Sequence, residues 1–463
     1  MSDLTQPSLF SPAELELAAT APPAATPDFQ KAAPRVNQPE RSQIEMRCES
    51  LDQRLDAEHT ARVIWQVVQG LDLSALYQKI DAVEGVAGRN ASDPRVLFAL
   101  WLYAATDGVG SARELERLCF EHRAYEWLRG NVPVNYHLLA DFRVQQGDLL
   151  KELQVESLAG LIAEGLVSLD IAAQDGLRVR ASAGSGSFRR QPTLEQAQQQ
   201  ARDQLDKIER DSAADAAGQT LRQQKARQRA ARERLERLNK ALAAARHLAA
   251  QREKRKKGDG DKARASTTDA DARNMKMGDG GFRPAYNVQL ATDADSGIIL
   301  NMDVINEGSD AGQMKPMMDE IKKDQGQAPK LLLTDGGFST IADIEETTTG
   351  GTKVYTPVKE EAKKKAAGKD PFAALPKDSP TIAEWRQRMG TAEAKTLYQR
   401  RAPTAELPNA RLRNHGIYQL GVRGLAKVKA ALWWHVLALN LMRALVLRGS
   451  RAKPAATPCA QLG

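Results

Sequence analysis

From Leu51 to Leu166 apolar residues recur at spacings of three and four, as in Val63, Val67, Val68 and Leu71, and again in Leu97, Leu100, Trp101 and Ala104. That period predicts amphipathic helices, with a start at Ser92-Asp93-Pro94 and an interruption at Gly108 and Gly110. Near Leu166 the period falls to two. Leu169, Ile171 and Ala173 alternate with Asp170, Ala172 and Gln174, which predicts a strand that reaches its end at Asp175, before Gly176. After a Gly/Ser stretch the pattern becomes heptad-like. Leu235, Leu238, Leu242, Ala245 and Ala249 form one seam and Leu205 with Ile208 starts another, with a break from Asp211 to Gly218. Two helices folded back as a coiled-coil hairpin account for the break; one long helix is the alternative.

From Phe282 the strand period returns. Residues 285–290 and 298–304 flank Asp293-Ala294-Asp295-Ser296-Gly297, which has the chemistry of a hairpin turn. Ala311 to Lys323 reads as a helix with Met314, Met317, Met318 and Ile321 on one face. The short apolar strand Lys330 to Thr334 ends at Asp335-Gly336-Gly337, and a second strand covers Lys353 to Val358. Residues 359–381 read as loop, and helical stretches follow at about 391–413 and 424–448. This order predicts an α/β, ribonuclease-H-like catalytic core with a helical insertion after its first strand, preceded by an all-α N-terminal domain. The expected divisions are a disordered arm at 1–42, a helical N-terminal domain at 43–166, the first part of the core at 167–188, the insertion at 189–265, the rest of the core with C-terminal helices at 266–448, and a flexible tail at 449–463.

Composition narrows the function. The apolar fraction is 42%, ordinary for a globular protein, and apolar runs such as Val96 to Ala105 stop well short of a membrane span. No secretory signal is visible at the N-terminus, so the expected location is the cytoplasm, and no membrane partner is expected. Cys48, Cys119 and Cys459 match neither a disulfide framework nor a zinc pattern, and none of the six His residues forms a close pair. Any metal is therefore a hard cation held by carboxylates. The net charge of +7 is uneven: residues 221–265 hold 16 Lys/Arg against 5 Asp/Glu, a local +11. Such a segment suits a polyanion partner, or is a solvated helix face.

Asp175 and Asp335 each stand before glycine at a predicted strand end, where a phosphate could approach the backbone closely. Asp-Gly is also a common turn dipeptide. Asp310 reads first as the N-cap of the helix that runs to Lys323, with an alternative or supporting acidic ligand as its second reading. Asp170 and Asp303 should face solvent or neighbouring Lys/Arg. Trp433, Trp434 and His435 fall in a helix with apolar spacing, and packing is their expected role, as it is for Tyr125 and Trp127.

Five blocks in order resemble the DDE insertion-sequence transposases, in particular the branch with a coiled-coil insertion in its catalytic domain (family eleven-eighty-two). DPRVLFALWLYAATDGVGSARELERLCFEHRAYEWLRG resembles the N-terminal domain of that branch. AAQDGLRVRASAG and LLLTDGGF resemble the strands of the first and second Asp, matched by Asp175 and Asp335, and STTDADARNMKMGDGGFRPAYNVQLATDADSGIIL resembles the hairpin after the insertion. The branch's Tyr-Arg-Glu-basic spacing falls on Tyr398, Arg401, Glu406 and Arg413, and RGLAKVKAALWWHVLALNLMRAL resembles its C-terminal segment.

The resemblance implies that Asp175, Asp335 and Glu406 are catalytic and hold two Mg²⁺ (or Mn²⁺), and that Tyr398, Arg401 and Arg413 contact DNA. Two such ions would clamp the attacking and leaving oxygens of a phosphodiester displacement. It also implies cleavage at terminal inverted repeats, strand transfer into target DNA and a homodimeric synaptic complex. A catalytically inactive or nuclease-only DNA-binding relative is the alternative. Pro403 and Pro408 flank Glu406, and Pro408 is tolerated in a helix only near its first turn, which predicts Glu406 at a helix start. Glu393 is the fallback third carboxylate.

Overall fold

The computed structural model describes residue 46 and residues 48–452 other than 86, 88 and 215–220. The arm at 1–42 and residues 453–463 of the tail lie outside the described residues. Among the described residues seven α-helices come first: α1 (Thr60–Gly70), α2 (Ser74–Tyr77), α3 (Pro94–Thr106), α4 (Ala112–Glu121), α5 (Arg123–Arg129), α6 (Tyr136–Gln145) and α7 (Gly147–Ala163). Their starts are encoded locally. Asp93 caps α3 by accepting from Arg95 N, with Pro94 in the first turn, and Ser111 and Asn135 cap α4 and α6 in the same way. Helix α3 is buried on every side from Val96 to Ala105, which makes it the centre of this region.

The main sheet begins with β1 (Ile171–Arg180). Two short strands, β2 (Phe188–Arg189) and β3 (Ala265–Ser266), pair with each other across the base of an inserted helical hairpin, α8 (Gln191–Ala214) and α9 (Leu221–Arg255). The hairpin is antiparallel. Its seam buries Leu194, Ala201, Leu238, Leu242 and Ala245, and Glu195 pairs with Arg246 at 3.0 Å while Glu209 pairs with Arg232 at 2.8 Å. The predicted break falls partly at 215–220, outside the described residues.

The sheet continues with β4 (Arg273–Lys276), β5 (Phe282–Asp293), β6 (Ile299–Ile305), β7 (Leu331–Leu333) and β8 (Lys353–Tyr355). One edge of β5 carries β4 and then β6, and the other carries β1, all antiparallel. Beyond β1 the pairing turns parallel, to β7 and then β8. The β5–β6 hairpin turns where the sequence predicts. Asp293 Oδ2 accepts from Ser296 N at 2.8 Å, and Gly297 takes the left-handed φ of +69°.

Helices cover both faces: α10 (Met314–Gln325), α11 (Ile341–Thr349), α12 (Glu361–Ala366), α13 (Pro380–Gly390), α14 (Ala392–Tyr398), α15 (Arg401–Asn414) and α16 (Leu425–Ala452). Strand alternation sorts the core. Ala172 and Leu332 pack with Met318, Ile344 and Trp385, whereas Leu177 and Val179 join Phe98 and Trp434 on the opposite face. Three expectations change. Residues 359–381 contain α12, the stretch 391–413 is two helices, and α16 runs to Ala452, into the expected tail.

Helix α16 is also an exception to the expectation that apolar runs stop short of a membrane span. Leu425–Ser450 contains an 18-residue window with a mean hydropathy of 1.5, long and apolar enough to cross a membrane by length and composition, yet 67% of that window is buried inside the protein. Trp434 is 1% exposed, its Nε1 donates to Arg143 O at 3.0 Å, and its ring lies 4.7 Å from Phe98. His435 is buried there, and burial drives its pKa down to about 4, so it is neutral. Trp434→Ala should cost about 3–5 kcal/mol, the usual effect of emptying a core aromatic site. Urea unfolding checks this, and a loss below about 1 kcal/mol would show that the ring is not a core element.

Candidate active site

Strands β1 and β7 share only three pairs, Ile171↔Leu331, Ala172↔Leu332 and Ala173↔Leu333. That offset puts Asp175 level with Asp335, and alternation puts both on the face of Ala173 and Leu333. Past Leu333 the ladder stops and the chain turns at Asp335-Gly336-Gly337. Asp175 is not at a strand end: it lies in the middle of β1, opposite Leu290 of β5. Its free edge is the one β7 has left.

Helix α15 covers this face. Ala405 packs against Ala173 and Leu333, with Arg401 one turn before it and Asn409 one turn after. Arg401 Nη2 lies 3.1 Å from Asp175 Oδ1 and 3.7 Å from Asp335 Oδ2, so one guanidinium nitrogen bridges the two carboxylates. Asn409 Nδ2 donates to Asp175 Oδ2 at 3.0 Å, and Gly176 N donates to Oδ1 at 2.9 Å. On the other side Gly337 N donates to Asp335 Oδ1 at 2.8 Å, and Thr356 Oγ1 donates to the Asp335 carbonyl at 2.9 Å. Tyr398 pins the preceding residue, its hydroxyl donating to Thr334 O at 3.1 Å. Burial raises the Tyr398 pKa, so the phenol keeps its proton for that bond.

Burial also raises the pKa of Asp175; Arg401 opposes the shift, while Asp335 and Asp310 add to it as like charges. At 3.1 Å the gross attraction to Arg401 is about 5 kcal/mol at an effective dielectric of 20. Desolvation costs several kcal/mol per buried ion. The direction of the shift says that desolvation and like charge win.

Asp310 approaches β1 from the opposite face. Its Oδ1 accepts from Asn287 Nδ2 at 2.6 Å and Gln289 Nε2 at 2.7 Å, and its Oδ2 lies 3.4 Å from Arg178 Nη2. A Cβ on Gly176 would collide with Asp310 Oδ1 and sit 2.8 Å from Asn287 Oδ1. The glycine after Asp175 thus makes room for Asp310, and not for a phosphate as its sequence context suggested. Nor does Asp310 cap a helix. Helix α10 starts at Met314, and Asp343 accepts from Met314 N at 3.1 Å and Lys315 N at 2.9 Å instead. Asp170 and Asp303 pair with Lys330 at 2.7 Å and Lys429 at 2.6 Å, as expected of them.

Asp175, Asp335, Tyr398 and Arg401 are therefore brought together. Glu406 is exposed and forms no hydrogen bond or ion pair among the described residues. It stands mid-helix in α15 and not at a helix start, because Pro403 takes the first turn and Pro408 is accommodated inside. Arg413 is exposed on the same helix, and Glu393 is exposed in the first turn of α14. Among the described residues no three His, Cys, Asp or Glu side chains form a ready ligand set. The Asp pair nonetheless fits a hard divalent ion. Both carboxylates already converge on one cationic nitrogen, and the buried Asn409 Oδ1 beside them has no hydrogen-bond partner. Mg²⁺ needs few carboxylates, because water and phosphate oxygens fill its other positions.

Sequence reasoning missed Asn409, Asn287, Gln289 and Arg178. Two polar residues at period two among the apolar residues of mid-β5, Asn287 and Gln289, were the available signal, since buried polar groups are the informative exceptions.

Residues 258–441 match the family model of the Transposase DDE domain, and residues 49–145 match that of a Transposase domain (DUF772). Together they support a DDE transposase. The first match includes Asp335, Tyr398, Arg401, Glu406 and Arg413, whereas Asp175 lies between the two matched segments. A DDE transposase domain implies an enzyme of the nucleotidyl-transferase type that binds DNA, in a family that typically uses a divalent metal. No curated protein and no solved structure matched.

The raised pKa of Asp175 fixes a sign. The folded, metal-free protein holds that proton more tightly than the unfolded chain, so stability falls as pH rises from the ordinary 3.8 through the folded value. In EDTA, Asp175→Asn should be at least as stable as wild type at pH 7, with the gap closing below that ordinary value. Denaturant unfolding across pH measures it; a variant less stable at pH 7 that recovers in acid would reverse the sign.

Proposed function

We propose that this chain is a transposase that cuts DNA at the ends of an insertion element and joins the freed 3′ end to target DNA. The observation that carries the reading is the Asp175–Asp335 pair, Asp175 within β1 and Asp335 just past the end of its parallel neighbour β7, both within reach of Arg401. The strand order, four antiparallel strands (β4, β6, β5 and β1) followed by two parallel ones (β7 and β8), supports a ribonuclease-H-like core. The antiparallel seam of α8 and α9 supports a coiled-coil insertion and, with it, the branch (family eleven-eighty-two) that the sequence resembles. On this reading residues 43–166 bind the terminal inverted repeats, 167–188 and 266–448 form the core, and 189–265 form the insertion. The active form is a homodimer that pairs two ends, cytoplasmic and nucleoid-associated when bound to DNA.

Asp175 and Asp335 would hold Mg²⁺, with Glu406 as third ligand and a second ion completing the site. Bound there, the metal lowers the pKa of a nucleophilic water and stabilises the leaving oxygen. Arg401 neutralises the carboxylate pair, and its planar, permanently charged fork suits a phosphate oxygen. Tyr398 fixes the backbone ahead of Asp335, and Arg413, exposed on the surface, suits a phosphate contact. One observation favours the second reading, an inactive or nuclease-only relative: Glu406 touches neither Asp.

The test is cleavage and joining of labelled DNA carrying the element ends, in Mg²⁺ or Mn²⁺. Asp175→Ala, Asp335→Ala and Glu406→Ala should each abolish both steps while leaving DNA binding intact. Full activity in Glu406→Ala would move the third ligand to Glu393. Wild-type binding without cutting would establish the inactive relative, and cutting without joining the nuclease.

A further inference from the structure

A cleft of about 490 Å³ lies where the C-terminal end of α9 meets β4 and the loop after β6. Its walls carry Arg252 and Arg255 from α9, Lys262 and Arg264 from the segment that returns to β3, and Arg273 from β4, against a single carboxylate, Glu307. Cations in the last turn of a helix are commonplace, since they complement the negative end of the helix dipole. That accounts for Arg252 and Arg255. It does not account for three further cations that converge from other elements on the same hollow.

The cations differ in what they already hold. Arg252 and Lys262 lean on Asp259 at 3.6 and 2.9 Å, and Arg273 donates to the Ala270 and Ala272 carbonyls at 2.7 and 3.0 Å. Arg255 and Arg264 are exposed and form no ion pair or side-chain hydrogen bond among the described residues. A concave surface with a strong excess of one sign of charge concentrates its potential on whatever enters it.

The cleft also borders the candidate active site. Gly308 in its wall accepts from Arg178 Nη2 at 2.9 Å, and the same guanidinium lies 3.4 Å from Asp310 Oδ2. A Cβ on Gly337 would lie 3.7 Å from that Asp310 oxygen and 3.0 Å from Asp335 Oδ1. The wall of the cleft is thus linked to the Asp335 loop through Arg178 and Asp310.

We propose that this cleft binds the phosphate backbone of a DNA strand that continues to the Asp175–Asp335 pair. The proposal rests on the transposase reading and adds a site to it. Inorganic phosphate shares the chemistry, but cations spread over three segments suit a chain of phosphates better than one.

The test uses the full-length Asp335→Ala protein, which should bind without cutting, and a fluorescein-labelled DNA duplex followed by anisotropy across a KCl series. Adding Arg255→Ala and Arg264→Ala should reduce the slope of log affinity against log salt by about 2, because each phosphate contact contributes roughly 0.9. A charge-matched control, Lys363→Ala with Lys365→Ala on α12, removes two exposed lysines that pair with Glu360 and Glu361. An unchanged slope in the arginine variant overturns the proposal, and so does an equal loss in the lysine control. Displacement of the duplex by millimolar phosphate at constant ionic strength would also overturn it, in favour of a single-phosphate site. Failure of the transposase reading looks different: wild type then neither binds nor cuts the duplex. Wild-type cleavage beside an unaltered arginine variant sinks this proposal alone.

Discussion

The candidate site depends on the short parallel pairing of β1 with β7. Three residue pairs set an offset that makes Asp175 and Asp335 neighbours. A slip of one residue would turn Asp335 to the other face of the sheet, and a slip of two would move it about 6–7 Å along the strand. Contacts at both ends hold the register. Before the pairing Lys330 N donates to Leu169 O at 3.0 Å, with the Lys330–Asp170 ion pair beside it. After it Ala173, Leu333 and Ala405 close an apolar contact that seats α15. Arg401 and Asn409 reach Asp175 only because Ala405 is small enough to let the helix lie close.

Much of this architecture is legible as period. The switch from three-four spacing to alternation near Leu166, the polar turn at Asp293–Gly297 and the heptad seam of the insertion each appear as elements where the pattern puts them. Asp175 and Asp335 stand out because a carboxylate before glycine interrupts an apolar run. Their pairing is not legible: β1 and β7 are far apart in sequence, and nothing local records a parallel offset. The partner of Gly176 is hidden for the same reason. Asp310 sits just ahead of a helical pattern and reads as a cap, yet Asn287 and Gln289 take its oxygens while the cap comes from Asp343. Local rules gave the commoner use of an Asp there, and tertiary partners overrode it.

Glu406 shows a different limit. A proline within α15 pointed to a helix start, but loss of one amide is tolerable in a helix fixed by packing at Ala405 and Leu412. The result is an Asp pair whose ion-pair partner among the described residues is Arg401. Burial and like charge raise the pKa of Asp175 even beside that arginine. Such a pair gains little from its ion pair as a structural element, because desolvation offsets most of the attraction. On the proposed function, a cation that ligates both carboxylates directly would compensate their charge more fully.

The insertion bears on the site through its base. It leaves the sheet after β1 and returns before β4, and β2 with β3 ties the two ends together, with Ser187 Oγ and Ser266 Oγ 2.7 Å apart. A tied base separates the two ends of the hairpin in what they can do. The far end can change length without disturbing the sheet, since the seam of α8 and α9 is internal to the hairpin. The near end cannot move without pulling on β1, the strand that carries Asp175. Arg252, Arg255, Lys262 and Arg264 all belong to this near end. Their distance from the Asp pair is therefore fixed by the same backbone that fixes the pair, which is what a phosphate chain held at both places requires.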